Sequence, residues 1–484
     1  MQMKYPQKPV APDPMTESRW EHTSLRRKML TGQWHDILVE EIERHVPSDR
    51  ARAWGVPDMS SNIFKSATGA LSVLYQEPPS VGVAYARPNQ ADPLLARDGL
   101  IDQAGLWPLM QRVQMLTIGL RECFLRVDLN EKKDGLLYRI VTPDFVFADS
   151  PAGDPSNPNV LHEYRLRHDE TTDKFVWTVD LFDLRNPNNP KYQVHTINQN
   201  GEIHENVSEK YLGSDQSGDS YPYRDSSGRP FIPYTLYHAE VFGGLFDAYN
   251  GAEIVAGALN GAVLYTYFLH LSRDCAHPQR WMLSALPAGM NMYDNDLASR
   301  RNAIATDPAS ILLFAADPDL QPGQQPQIGQ FQAGGDVEKT LAAISAYERK
   351  IASTAGISGS DIQKMSGDPR SGYAIALSRS GLREAQRRYR PAFTRGDTRT
   401  LEISAMIANR FLGMSLPENG YRVEYHAIPL SPEETKGQRE QILSLVAAGL
   451  MSKVEAIQVL HPDLDDDEAI KRLELIRKQN IQYS

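Results

Sequence analysis

The sequence predicts an α+β protein built from several domains. Its 484 residues are enough for two to four domains, at roughly 100–200 residues each. Between Glu122 and His238, short runs of β-branched and aromatic residues alternate with polar turns, which indicates antiparallel strands. On both sides of this stretch apolar residues recur every three or four positions, which is typical of amphipathic helices.

Three helices are expected before the strands. The first covers 18–45, and the second covers 60–76 with the pair Ser60–Ser61 as its cap. The third covers about 94–120, and Pro108 is expected to bend it, because proline removes a backbone donor and clashes with the preceding turn.

Hairpins account for the middle of the chain. Apolar runs on either side of polar turns predict three of them, the last with its turn at Asn200-Gly201. The predicted hairpins cover 123–141, 160–184 and 193–207, with further strands in 145–149 and 231–238.

Helices dominate again after the strands. A long Ala/Gly-rich helix is predicted over about 244–272, and a Pro/Gly/Asp-rich stretch over 278–333 indicates a small α+β insertion. The next helix is predicted over Asp336–Ala355, with Asp336 as its N-cap and Gly356 as its stop.

A Gly/Ser/Pro-rich loop over 356–372 then leads into a helix of about 373–412. Pro391 lies inside that helix and predicts a kink. The tail contains one strand and three helices, predicted at about 432–447, 452–459 and 466–479.

Composition limits the function. The net charge of -10 argues against a dedicated DNA-gripping domain, because phosphate neutralisation needs a basic excess. The two cysteines, Cys123 and Cys275, form no CxxC pair, so neither a zinc site nor a disulfide framework is predicted. The first residues, "MQMKYPQKPVAPDP", contain no apolar core and predict no signal peptide.

One apolar run needs a membrane test. Ile254–Leu269 is shorter than the ~18–20 residues that span a bilayer, and Asn260 interrupts it. A helix buried between protein neighbours is therefore predicted. Its small residues would let another helix approach closely; they are Gly257, Ala258, Gly261 and Ala262.

Catalytic signatures are weak. The sequence contains no GxxxxGK[ST] motif, so the 356–372 loop is not a Walker A loop, and "GISGS" does not match a nucleophile elbow. The strongest metal candidate is the acidic run Asp463–Glu468, whose spacing resembles a calcium loop with Glu474 near the closing position. Glu468 replaces the required glycine, so acids placed at the positive end of the following helix are favoured instead.

An arginine stripe marks the long helix. Arg379, Arg383 and Arg387 are four residues apart and share one face. Two interpretations stay open: a surface that faces phosphates, and a solvated or salt-bridging face, with contacts to a neighbouring subunit as the favoured form of the second. The second is favoured, because acids such as Glu384 lie nearby and no aromatic residues interleave the arginines for base stacking.

Several segments together resemble the portal proteins of tailed double-stranded DNA bacteriophages. "SSNIFKSATGALSVLYQEPP" is similar to an early portal segment in which an Asn-containing helix ends at proline. "FDAYNGAEIVAGALNGAVLY" resembles the family's "DAYN" helix, and "SGYAIALSRSGL" (Ser371–Leu382) resembles its "SG-x-A" entry into the long helix. The order and spacing of these short motifs, over roughly 20–480, produce the resemblance.

The resemblance implies a portal fold with a β-rich wing, paired stem helices, a small α+β clip, a long kinked wing helix and a helical crown. The implied domains are an N-terminal arm 1–17, wing 18–243, stem helix one 244–277, clip 278–334, stem helix two 335–355, tunnel loop 356–372, wing 373–429 and crown 430–484.

Site residues and partners also follow from the resemblance. The tunnel loop would present Ser358, Ser360, Gln363, Lys364, Ser366 and Arg370 to a DNA channel. Subunit contacts are expected from Ala258, Gly261, Tyr265, Arg379, Arg383 and Arg387.

A portal subunit would assemble into a ring, usually of twelve copies, through which double-stranded DNA passes without sequence specificity. Its partners would be the terminase large subunit, the major capsid and scaffolding proteins, and neck or tail adaptor proteins. The expected location is the portal vertex of the virion, with assembly in the host cytoplasm. The resemblance implies no enzyme activity, cofactor, metal or membrane. Two alternatives stay open, a channel-free structural component of a virion and a nuclease that uses the acidic run.

Overall fold

The computed structural model confirms the α+β class. It describes residues 9–45, 57–84, 92–150, 157–169, 173–198, 200–212, 221–239, 251–276, 279–283, 285–287, 314–316, 325, 327–331, 335–357, 372–426, 432–460 and 465–482.

Along the described chain, helices precede, separate and follow the strands. They are α1 (Pro14–Thr31), α2 (His35–His45), α3 (Ile63–Leu71), α4 (Leu100–Gln103), α5 (Leu106–Leu120), α6 (Ser208–Leu212), α7 (Ala252–Ala276), α8 (Val337–Thr354), α9 (Gly372–Leu412), α10 (Pro432–Ala447), α11 (Lys453–Leu460) and α12 (Asp466–Gln482).

The strands pair antiparallel throughout. They are β1 (Ser80–Val83), β2 (Glu122–Leu129), β3 (Leu136–Val141), β4 (Val146–Asp149), β5 (Val160–Asp169), β6 (Lys174–Asp183), β7 (Lys191–Ile197), β8 (Ile203–Asn206), β9 (Tyr234–His238), β10 (Gln279–Leu283), β11 (Ala285–Pro287), β12 (Phe314–Ala316), β13 (Gln327–Phe331) and β14 (Tyr421–Glu424).

Two larger sheets form the β-rich part of the molecule. One has the order β3-β2-β9 and the other β4-β5-β6-β7-β8, while β1-β14, β10-β13 and β11-β12 are separate pairs. The three predicted hairpins are confirmed as β2-β3, β5-β6 and β7-β8. Gly201 has φ of +82° at the predicted turn of the last hairpin, a conformation that glycine adopts without steric cost.

Two of the predicted early helices are divided. The predicted helix 18–45 is interrupted at Gly32, whose φ of +79° ends α1 before α2 begins. The predicted bend at Pro108 is wrong, because the break lies at Gly105, where φ is +65°. Pro108 instead occupies the first turn of α5, where a missing backbone donor has little cost.

The cap of α3 also differs from the prediction. Asn62, rather than the Ser60–Ser61 pair, caps this helix, since its side-chain oxygen accepts the Lys65 amide at 2.9 Å. The helix ends at Leu71 and not at 76.

The chain forms two compact units. One contains residues 1–27, 66–250 and 356–484, and therefore both larger sheets and the long helix α9. The other contains 28–65 and 251–355, and therefore α2, α7, α8 and the strands β10–β13. The second unit thus combines residues of the segments predicted as stem and clip with 28–65, which lie in the segment predicted as wing.

Candidate functional site

The helices α7 and α8 pack closely against each other. A Cβ atom built on Gly257 of α7 would lie 2.3 Å from the Ile351 Cδ1 atom of α8, so a larger residue here would require Ile351 to move. Ala258 and Ala262 are buried beside it. The expectation that the small residues of this helix admit a neighbouring helix is confirmed at Gly257.

Polar contacts join residues 58–61 to the helix pair α7-α8. The Ser61 hydroxyl donates to a Glu348 carboxylate oxygen at 2.6 Å, and the Asp58 amide donates to the Thr266 hydroxyl at 3.0 Å. Burial and the adjacent Glu348 carboxylate raise the pKa of Tyr265 to about 12. Residues of 58–61 therefore hold the same helix pair from a distant part of the sequence.

These contacts locate the three predicted interface residues of α7. Ala258 and Gly261 are buried within the single chain, and Tyr265 is half-buried beside Glu348. Their contact with a second copy stays a prediction.

By length and composition the segment Ala252–Arg273 could also cross a membrane, and 39% of its apolar window is buried in the folded chain. The helix is longer than the apolar run of Ile254–Leu269 because polar residues extend it at both ends.

Short strands lie between α7 and α8, in the segment predicted as the clip. β10 pairs with β13, and β11 pairs with β12, so the insertion returns the chain toward its starting helix. α8 begins at the predicted cap, where Asp336 accepts the Lys339 amide at 3.0 Å. Gly356 has φ of +72° two residues past its end, as predicted.

The long helix begins where the predicted tunnel loop ends. α9 covers Gly372–Leu412 and continues through Pro391. The six predicted loop residues lie outside the described residues; they are Ser358, Ser360, Gln363, Lys364, Ser366 and Arg370.

The arginine stripe is partly exposed. Arg387 is exposed and Arg383 is half-buried, while the side chain of Arg379 lies outside the described residues. The guanidinium of Arg388 lies 5.9 Å from the ring centroid of Tyr389. The role of the stripe in subunit contact stays a prediction.

A buried carboxyl group anchors α9 to the β-rich unit. Asp397 is 1% exposed and accepts hydrogen bonds from the hydroxyls of Tyr75 (2.9 Å), Tyr237 (3.0 Å) and Tyr425 (2.6 Å). Burial raises the pKa of Asp397 to about 7, although these hydrogen bonds lower it in part. Gly396 permits the approach of β9, because a Cβ atom there would lie 2.4 Å from the Tyr237 ring.

A second buried cluster joins the two larger sheets. The Arg126 guanidinium of β2 contacts carboxylate oxygens of Asp180 at 2.7 Å and Glu163 at 3.0 Å, and all three residues are buried. Arg139 and Arg167 complete the pairing of these acids. Burial alone would raise the pKa of Glu163, but the hydrogen bond from Arg139 and the surrounding guanidinium charges lower it to about 2.

The sequence interpretation did not identify either cluster. A signal for the second one exists, because Glu163, Arg165 and Arg167 alternate along one face of β5 and Asp180 lies opposite Glu163 on β6. Alternating charges inside an otherwise apolar hairpin are typical of a buried ion network. The tyrosines around Asp397 carry no comparable local signal, since they come from three distant segments.

The described part of the acidic run Asp463–Glu468 makes a hydrogen bond within the run itself. The Asp465 carboxylate accepts the Glu468 amide at 2.8 Å and caps α12, which fits the favoured interpretation of acids at a helix start. Asp463 lies outside the described residues. No group of three or more His, Cys, Asp or Glu side chains that could hold a metal occurs among the residues that the structure describes.

Comparisons with known proteins give weak similarities only. No protein-family model matches the chain, and no curated protein matches it. A solved structure described as the virion of a native gene transfer agent (GTA) particle is 14% identical, with a TM-score of 0.40, and the match covers 94% of this chain and 96% of that chain. The neck of a native GTA particle, computed with C12 symmetry, is 14% identical with a TM-score of 0.37. The neck of an empty GTA particle, computed with C6 symmetry, is 15% identical with a TM-score of 0.40. Each of these two matches covers 82% of this chain and 88% of the other. TM-scores of this size do not establish a shared fold.

Proposed function

We propose that the chain is a structural component of a phage-like virion, and specifically the portal protein that forms a ring at one capsid vertex. The observation that carries the proposal is the order of elements along the chain. A β-rich unit is followed by α7, a small stranded insertion, the paired helix α8, the long helix α9 and a helical tail. This order is the one implied by the portal resemblance, and the similarities to GTA structures are not needed for it.

In this proposal each segment has a mechanical role. The pair α7-α8 is the stem, and the insertion between them is the clip that meets terminase during packaging and a neck or tail adaptor afterwards. The residues before α9 form the tunnel loop, and α10–α12 form the crown. The ring, most simply a dodecamer, would assemble in the host cytoplasm with scaffolding and capsid proteins and then reside in the virion.

Charge supports a conduit for DNA over a DNA clamp. The net charge of -10 limits strong phosphate binding, and each strong phosphate contact would resist sliding of the duplex. A channel surface needs polarity without a dense basic lining. The exposed arginines of α9 are therefore assigned to contacts between subunits, where acids of a neighbouring copy can pair with them.

Replacing 358–371 with a Gly/Ser linker of equal length tests the assignment of this segment to the channel. We expect rings to form normally, because α8 and α9 are unchanged, while DNA packaging or retention in the particle falls. The measurements are negative-stain images of the purified chain and the DNA content of assembled particles. The matched control is the same replacement of the polar segment 213–220.

Normal DNA content in particles that carry the 358–371 replacement would contradict a channel role. Such a result would favour a structural component without a channel, since that protein has no loop in the path of DNA.

A further inference from the structure

A groove on the β-rich unit combines aromatic side chains with three arginines. It has a volume of about 850 Å³ and lies beside β3, β5 and β6. Phe145 and Trp177 stack in it with ring centroids 5.8 Å apart, and the Arg27 guanidinium lies 5.4 Å from the Phe145 centroid. A volume of this size accommodates a few side chains of a peptide.

Buried acids hold two of the three guanidinium groups in position. Arg27 Nε lies 2.9 Å from the carboxylate of the fully buried Asp144, and Arg139 forms a two-pronged pair with Glu163. The side chains of Arg27 and Arg139 are still 27% and 29% exposed, respectively. Each guanidinium therefore has a fixed orientation at the groove, and its charge is offset by the paired acid.

Arg165 is held differently. Its closest carboxylate contacts are 3.8 Å to Glu163 and 3.6 Å to Asp180, and no hydrogen bond among the described residues uses its guanidinium. Burial and the neighbouring cations Arg139 and Arg167 lower its pKa, while Glu163 and Asp180 offset this in part. The Arg165 guanidinium thus retains donors for an incoming anion. The negative charge of that anion would stabilise the charged form of the guanidinium.

The walls of the groove restrict the class of anion. A carboxylate matches the planar guanidinium fork, and the Phe145–Trp177 pair suits an apolar side chain next to that carboxylate. Two of the three guanidinium groups that line the groove are already paired with acids, so the groove suits a single carboxylate and not a polyanion such as a nucleic acid backbone.

We propose that this groove binds a peptide segment of a partner protein, with an aspartate or glutamate on Arg165 and an adjacent apolar side chain on Phe145 and Trp177. A second copy of this chain fits the groove less well. Its most acidic exposed run, among the described residues, is at the start of α12, and the Asp465 carboxylate there already caps that helix. The proposal holds for the single chain and does not depend on ring formation or on a DNA channel.

The test uses the full chain and two pentapeptides that are acetylated at the N-terminus and amidated at the C-terminus, Leu-Glu-Leu-Glu-Leu and its Gln counterpart, with binding followed by ligand-observed NMR. We expect the Glu peptide to bind, the Gln peptide to bind at least about tenfold more weakly, and Arg165→Gln to weaken the Glu peptide by about tenfold. Arg185→Gln is the matched control, because Arg185 also pairs with an acid but is 65% exposed and outside the groove. Arg165→Lys, which keeps the charge without the fork, should give intermediate binding even if the Gln variant fails to fold.

Three results would overturn the proposal. The first is a lack of discrimination. Either both peptides bind wild type equally, or the Glu peptide binds wild type, Arg165→Gln and Arg165→Lys equally. The second is displacement of the Glu peptide by inorganic phosphate at lower concentration than by glutarate, which would indicate a phosphate site. The third is loss of self-association in Arg165→Gln by sedimentation, which would identify a second copy as the occupant.

Discussion

Arg126→Met is expected to lower the free energy of unfolding of the β-rich unit by about 3–5 kcal/mol. The substitution removes the cation that lies 2.7 Å from Asp180 and 3.0 Å from Glu163, and both acids are buried. Buried carboxylates that lose a partner must either keep an uncompensated charge or take up a proton. Because Arg139 and Arg167 still contact these acids, we expect the lower end of the range.

Urea denaturation at pH 7.5 measures this effect. The control is Arg185→Met, which breaks an exposed pair with Asp183 and should have a much smaller effect on the free energy of unfolding than Arg126→Met. Equal effects of the two substitutions would show that the buried network does not hold the two sheets together.

Asp397→Asn is expected to remove a pH dependence of stability. The pKa of Asp397 rises from 3.8 to about 7 on folding, so the folded chain binds this proton more tightly than the unfolded chain. The associated stability is complete below about pH 4 and is lost as the pH rises through about 7. The whole shift corresponds to about 4 kcal/mol, of which about 2–3 kcal/mol is lost between pH 5 and 8.5.

The measurement is the difference in the free energy of unfolding between wild type and Asp397→Asn at these two pH values. We expect the free energy of unfolding of the variant, minus that of wild type, to be about 2–3 kcal/mol higher at pH 8.5 than at pH 5. The difference is needed because burial lowers the pKa of His162 to about 4, which makes stability fall as the pH drops below 6.5 and so opposes Asp397. Asp225→Asn, at an acid whose pKa is lowered despite partial burial by hydrogen bonds from Ser227 and Arg229, should show no such change, and a flat difference for Asp397→Asn would contradict a proton-binding carboxyl.

Local patterns predicted much of this fold. Hairpins were predictable because polar turns separate short apolar runs, as at Asn200-Gly201. The start of α8 was predictable because Asp336 precedes an amphipathic run, and α9 was predicted to within one residue. The helix breaks at Gly32 and Gly105 were missed, since a glycine inside a helical pattern does not by itself reveal a left-handed conformation.

Long-range clusters were beyond local reasoning. Tyr75 and Asp397 are 322 residues apart in sequence yet share a hydrogen bond of 2.9 Å. Arg126 reaches acids on β5 and β6 only because the two sheets meet. A single sequence holds no spacing that relates such residues, because their proximity is a property of the packed elements.

Electron microscopy of the purified full-length chain tests the central claim most directly. Negative-stain class averages, with native mass spectrometry for the subunit count, should show closed rings of uniform size with a central hole. A well-behaved monomer at micromolar concentration, even with scaffolding or capsid protein present, would contradict the assignment of this chain as a portal subunit.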